Sequence, residues 1–138
     1  EFLVEDAWSP GVVASRANAL RELASGVYPV PRQDRALAIT GAAAPALFAE
    51  TCAVPFAADD PSMRIVTLTS MVGVGVTVLR RDVGDFPCWR LWCDGTFGPY
   101  LFETLTDIAA GFGGGPMGVR LLSGDLSATD YAIQRGSP

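Results

Sequence analysis

Between Arg64 and Arg81 the chain reads RIVTLTSMVGVGVTVLRR, its most β-rich part. Val72, Val74, Val76 and Val78 fall on one strand face, and Gly73 and Gly75 on the other, where another backbone or side chain can approach closely. The period is helical elsewhere. Val13, Ala17, Leu20 and Ala24 recur at helix spacing over Val12 to Ala24, with Arg16, Arg21 and Glu22 elsewhere on the wheel and Gly26 placed to stop the helix. Ala44 to Cys52 predicts a second helix, with Ala44, Leu47, Phe48 and Thr51 on one side. Gly98-Pro99 opens a third, because a proline in the first turn sacrifices no hydrogen bond. Leu101, Leu105, Ile108 and Phe112 are its expected buried stripe, and Gly113 to Gly115 end it.

Short strands fill the intervals. EFLVE, Glu1 to Glu5, is broken by Trp8-Ser9-Pro10-Gly11, and Val27 to Val30 is a short extended piece bounded by prolines. ALAIT, Ala36 to Thr40, reads as a buried strand. The DDPS run, Asp59 to Ser62, is a loop and Asp82 to Pro87 a turn. Trp89, Leu91 and Cys93 then alternate along a strand closed by Asp94-Gly95, and Val119 to Leu122 is one further possible strand before a polar tail. Helices alternating with strands that can pair as hairpins predict an α+β fold, with helices on one face of a mostly antiparallel sheet.

A length of 138 residues fits one domain with a real core, and 49% apolar against 18% charged residues excludes a disordered chain. The net charge of −5 argues against a nucleic-acid binder and against an anionic membrane surface. No apolar run approaches the roughly 20 residues of a membrane span, and no signal peptide is visible. The sequence starts at Glu1 within an apolar segment, which suggests a longer N-terminal part.

Candidate chemistry is sparse. There is no histidine, the commonest general base and metal ligand. Cys52, Cys88 and Cys93 form no CxxC, so free buried thiols in a reducing cytosol are favoured over a disulfide or a reactive thiol. The GFGGGP run, Gly111 to Pro116, follows a helix and lacks lysine, so it reads as a helix stop and not a phosphate cradle. GVG, Gly73 to Gly75, falls short of a dinucleotide fingerprint. Asp59-Asp60 and Asp82/Asp85 read as solvated loop and turn residues, and Asp94 as a turn or cap residue.

Trp89, Trp92, Phe97, Tyr100 and Phe102 could floor a ligand pocket or form a protein interface. Alternation places Trp89 and Trp92 on opposite sheet faces, so both are core only if both faces are covered. Tryptophan, tyrosine and arginine are also the residues most enriched at interface hot spots, which favours the interface.

VYPVPRQDRALAITGAAAPALFAETC, Val27 to Cys52, resembles the strand–glycine–helix element of the gamma subunit of heterotetrameric sarcosine oxidase. VTLTSMVGVGVTVLRR resembles that family's later strand pair, RLWCDGTFGPYLFETLTDIAAGFGG its aspartate–turn–helix signature, and EFLVED its preceding strand. RQD, Arg32 to Asp34, and WCDGTFGPYLFETL are specific in combination and weak singly. The likeness covers Glu1 to Gly115, leaving residues 116–138 as a tail and the family's N-terminal portion missing.

The resemblance implies a fold related to the folate-binding aminomethyltransferase, the glycine-cleavage T-protein. It implies a cytoplasmic αβγδ complex that oxidatively demethylates sarcosine or another N-methyl amine. In that family the beta subunit holds the substrate site and FAD, with covalent FMN at its boundary with alpha. Alpha binds NAD and tetrahydrofolate, and a small delta subunit binds zinc. The gamma subunit carries no known cofactor. The chain is accordingly expected to be a non-catalytic assembly subunit, with no catalytic, cofactor or metal residues of its own. Arg32, Arg90, Trp92 and Tyr100 are its expected subunit-interface residues. The alternative is a stand-alone folate-binding or aminomethyl-transfer protein, with Asp34 or Asp94 at the pterin.

Overall fold

The computed structural model describes residues 32–56 and 65–118, and singly residues 13, 15–17, 19, 26, 28 and 30. The chain divides into two compact units, Gln33–Leu122 and Glu1–Arg32 with Ser123–Pro138; the sheet and both helices named below belong to the first. The expected strands at Glu1 to Glu5 and Val119 to Leu122, the DDPS loop and the tail after Gly118 lie outside the described residues, as does most of the expected helix over Val12 to Ala24. Its described positions, residues 13, 15–17 and 19, are helical. Tyr28 and Val30 belong to no strand.

Within the larger unit the order is β1 (Arg35–Thr40), α1 (Ala44–Thr51), β2 (Val66–Met71), β3 (Val74–Arg80), β4 (Cys88–Cys93), a 3-10 turn (Gly95–Phe97) and α2 (Gly98–Gly111). The four strands form one antiparallel sheet in the order β1-β4-β3-β2. The class is α+β, and both helices cover one sheet face.

That face carries the core. Val74, Val76 and Val78 of β3 lie beside Trp89, Leu91 and Cys93 of β4, under Ala44, Leu47 and Phe48 of α1 and Leu101 and Leu105 of α2. Phe48 is the hinge of the packing, with the Phe56 ring at 4.7 Å and the Trp89 ring at 5.4 Å, edge-on. Each such buried side chain contributes about 1.5–3 kcal/mol relative to leaving it in water. The four α1 residues expected on one side are its four buried ones.

The β-rich stretch is two strands, not one continuous face. Val72 and Gly73 have φ of +44° and +84° and form the two-residue turn between β2 and β3. Two consecutive positive φ values match the right-handed twist of a hairpin. Val72 therefore leaves the valine face expected of it. No close approach occurs at Gly73 or Gly75, where an added Cβ would meet nothing within 4 Å.

Other elements shift for physical reasons. β1 is half-exposed rather than buried, since it pairs with β4 alone among the described strands. α2 opens with its proline as expected, but Phe112 caps its C-terminus and is 37% exposed, outside the buried stripe. Past it, the Gly113 N–H donates to Ala110 O and the Gly114 N–H to Ala109 O. These are the two bonds of a Schellman helix stop, so GFGGGP terminates α2. Among the described residues no helix is long and apolar enough to cross a membrane.

Candidate functional site

The segment from Asp94 to Phe102 is built by one carboxylate and one close backbone approach. Asp94 Oδ1 accepts the Thr96 N–H at 2.8 Å and the Thr96 hydroxyl at 2.6 Å, closing the turn that starts the 3-10 helix. Those two bonds, the hydroxyl's first, hold the Asp94 carboxyl below its ordinary range. Asp94 thus takes the cap role the sequence suggested. At Gly95 a Cβ would stand 2.7 Å from the Gln33 carbonyl, so only glycine lets the chain leaving β4 pass the chain entering β1.

This turn fixes which side of α2 faces the sheet. Leu101 and Leu105 are buried. Phe97 and Tyr100 are 51% exposed and Phe102 is 47% exposed, so three aromatic side chains stand in solvent within six residues. The Tyr100 hydroxyl donates to the Val72 carbonyl at 3.2 Å, which leaves its ring edge-free but its position held. Acidic Glu103 and Asp107 lie on the same helix, and residues 91–118 contain no basic side chain.

The five aromatics considered as a pocket floor are not one floor. Trp89 is in the core, Trp92 is on the opposite sheet face, and the remaining three are on the outer side of the helical layer. Trp89 and Trp92 do occupy opposite faces and both are buried, at 1% and 9% exposure. Of the four expected interface residues, Arg90 and Trp92 stand together on one face, the Arg90 guanidinium 5.9 Å from the Trp92 ring centre. Tyr100 lies on α2, across the sheet from them. Arg32 is exposed and belongs to the other unit.

Asp82 and the core cysteines serve the scaffold. Asp82 is not simply a solvated turn residue. Both its oxygens take Arg80 N–H groups at 3.0 Å, and Oδ1 also accepts the Cys88 N–H at 3.2 Å. The Arg80 bond is the chief reason its carboxyl is held below the ordinary range. Arg80 in turn lies 5.0 Å over the Trp89 ring. Burial pushes the Cys88 and Cys93 thiols up, the inert condition expected of core cysteines. Cys52 donates weakly to the Phe48 carbonyl. All three cysteines are free.

Ile65, Val66 and Leu68 are 56%, 53% and 79% exposed, a further apolar group at the surface. Their signal was present as apolar alternation, but alternation alone does not say which face meets the core.

No family model matches the chain, no curated protein matches it, and no solved structure matches it.

Proposed function

We propose that this chain is a non-catalytic assembly subunit of a multisubunit flavin- and tetrahydrofolate-dependent oxidase or dehydrogenase that demethylates sarcosine or a related N-methyl amine. The fold it would share with the T-protein supplies the sheet-and-helix scaffold, and the redox cofactors reside in its large partners. One observation carries the reading. The aspartate–turn–helix segment that bears the resemblance also holds Phe97, Tyr100 and Phe102 about half exposed, on an acidic helix. Aromatic side chains fixed in solvent by a rigid turn are suited to burial against a protein partner, where they dominate binding energy.

Arg90, half-buried on the other sheet face, serves as a second point of contact in this reading, whereas Trp92 beside it is already buried within the chain. Asp94 supports the alternative poorly, because its Oδ1 already accepts two bonds from Thr96 as the cap of the 3-10 turn.

Affinity purification of the chain from its native cells tests the proposal. Large partner chains and a flavin spectrum are the expected result. A colourless protein recovered alone, binding tetrahydrofolate in a titration, would instead make it the stand-alone folate protein.

A further inference from the structure

β2 is built inside out. Its register with β3 puts Thr67 opposite Val78 and Thr69 opposite Val76, so the threonines face the helical side. Val66 and Leu68 face the other side, where they are 53% and 79% exposed. A strand with one wet face ordinarily shows the reverse order.

Its edge is open in the same place. In a hairpin with a two-residue turn, the residues flanking the turn form a hydrogen-bonded pair, here Met71 and Val74. Thr69 and Thr67 then exchange bonds with β3, and Val66 and Leu68 direct their N–H and C=O groups away from it. Among the described residues nothing takes up those groups. Charge and proline, two of the usual edge guards, are absent, since Ile65 to Leu79 contains no charged residue and no proline, and the chain leaving α1 covers the edge only at its Met71 end, where Cys52 forms a bridge.

These features are self-complementary. Two copies of β2 set antiparallel about a two-fold axis at Thr67 place Val66 opposite Leu68 of the second copy, and Leu68 opposite its Val66. The outward groups of Val66 and Leu68 are the ones that register bonds. The apolar side chains fall side by side on that face, and Ile65 to Thr69 brings no charge to the pairing. A partner strand of different sequence would have to meet the same neutral, alternating pattern, whereas a second copy meets it by construction.

We propose that the β2 edge is a homodimerisation surface, joining two sheets into one of eight strands through Ile65–Thr69. This goes beyond the assembly reading and uses a different strand from its aromatic helix, so either can fail alone. The pairing is short, and the dimer is therefore concentration-dependent.

The test is light-scattering mass across a concentration series of the full chain, with three variants. Leu68→Lys places a charge beside its counterpart. Val66→Pro removes an outward N–H and leaves the bonds to β3. Phe102→Lys is a control on α2. The parent and the control are expected to rise toward twice the 14.5 kDa chain mass, with Leu68→Lys and Val66→Pro staying at that mass while keeping the parent's circular dichroism. A parent that is monomeric at high micromolar concentration overturns the proposal. So does a dimer indifferent to both β2 variants, or Ile65–Thr69 amides protected from exchange only in complex with a different protein.

Discussion

The Tyr100 hydroxyl donates to the carbonyl of Val72, and the Val72 N–H donates to the carbonyl of Thr51. Both backbone groups of the hairpin's left-handed valine are thereby held, one by each helix. The tip of the β2–β3 hairpin, the end of α1 and the start of α2 form one mechanical unit. Removing the hydroxyl in Tyr100→Phe is expected to cost about 1 kcal/mol in a urea melt, the worth of an ordinary hydrogen bond. A variant as stable as the parent would mean that this tie contributes nothing.

Val72 itself is an awkward residue at φ +44°, where a β-branched side chain is strained. Asparagine before glycine is the preferred pair for such a turn. Val72→Asn is expected to be about 0.5 kcal/mol more stable or equal, relief of strain offsetting the loss of a half-buried side chain. A loss exceeding about 1 kcal/mol would show that packing of Val72 on the core outweighs its backbone strain.

Glycine substitutions separate close approach from mere strand membership. Gly95→Ala drives a methyl into the Gln33 carbonyl and is expected to cost about 1–3 kcal/mol. Gly75→Ala meets nothing within 4 Å and should change stability by about 0.5 kcal/mol or less. Equal effects in thermal melts would contradict the assigned register of the chain entering β1.

Asp82 makes stability depend on acid. Its folded-state carboxyl lies below its unfolded value of 3.8, so its contribution is full above that pH and is lost as the pH falls through the lower, folded value. Asp82→Asn is expected to cost about 1 kcal/mol at pH 7 and to flatten the fall in melting temperature below pH 4. An unchanged acid limb in the variant would assign that limb to other carboxylates.

The thiols should divide by burial. Cys88 and Cys93 are expected to resist alkylation in the native protein and to react on unfolding, with Cys52 the first to be modified. Mass spectrometry after brief treatment with iodoacetamide reads this directly. Early labelling at Cys93 would mean that the β1–β4 end of the sheet opens.

Sequence pattern found the helical layer and the strand beneath it, because there the periods are unambiguous. Trp89, Leu91 and Cys93 alternate cleanly, and Leu101 and Leu105 fall one turn apart behind a proline. β2 and β3 were harder. Their valine-rich alternation runs through a turn made by a valine in a conformation that valine seldom adopts, so nothing in the pattern marks the corner. Once the corner is at Val72, the register sends Thr67 and Thr69 inward and leaves Leu68 outside, against the expectation from polarity. The opposite-face placement of Trp89 and Trp92 followed from alternation alone. The scatter of Tyr100 and Arg90 to different faces did not, since it depends on how α2 lies across the sheet.

In the proposed assembly this chain joins flavin-bearing partners through its aromatic helix. The most direct measurement is flavin absorbance per chain in material purified from native cells, for the parent and for a Phe97→Ser, Phe102→Ser double variant. Flavin is expected to co-purify with the parent and to be largely lost from the variant, whose circular dichroism is unchanged. A parent free of flavin, or a variant that retains it in full, would contradict it.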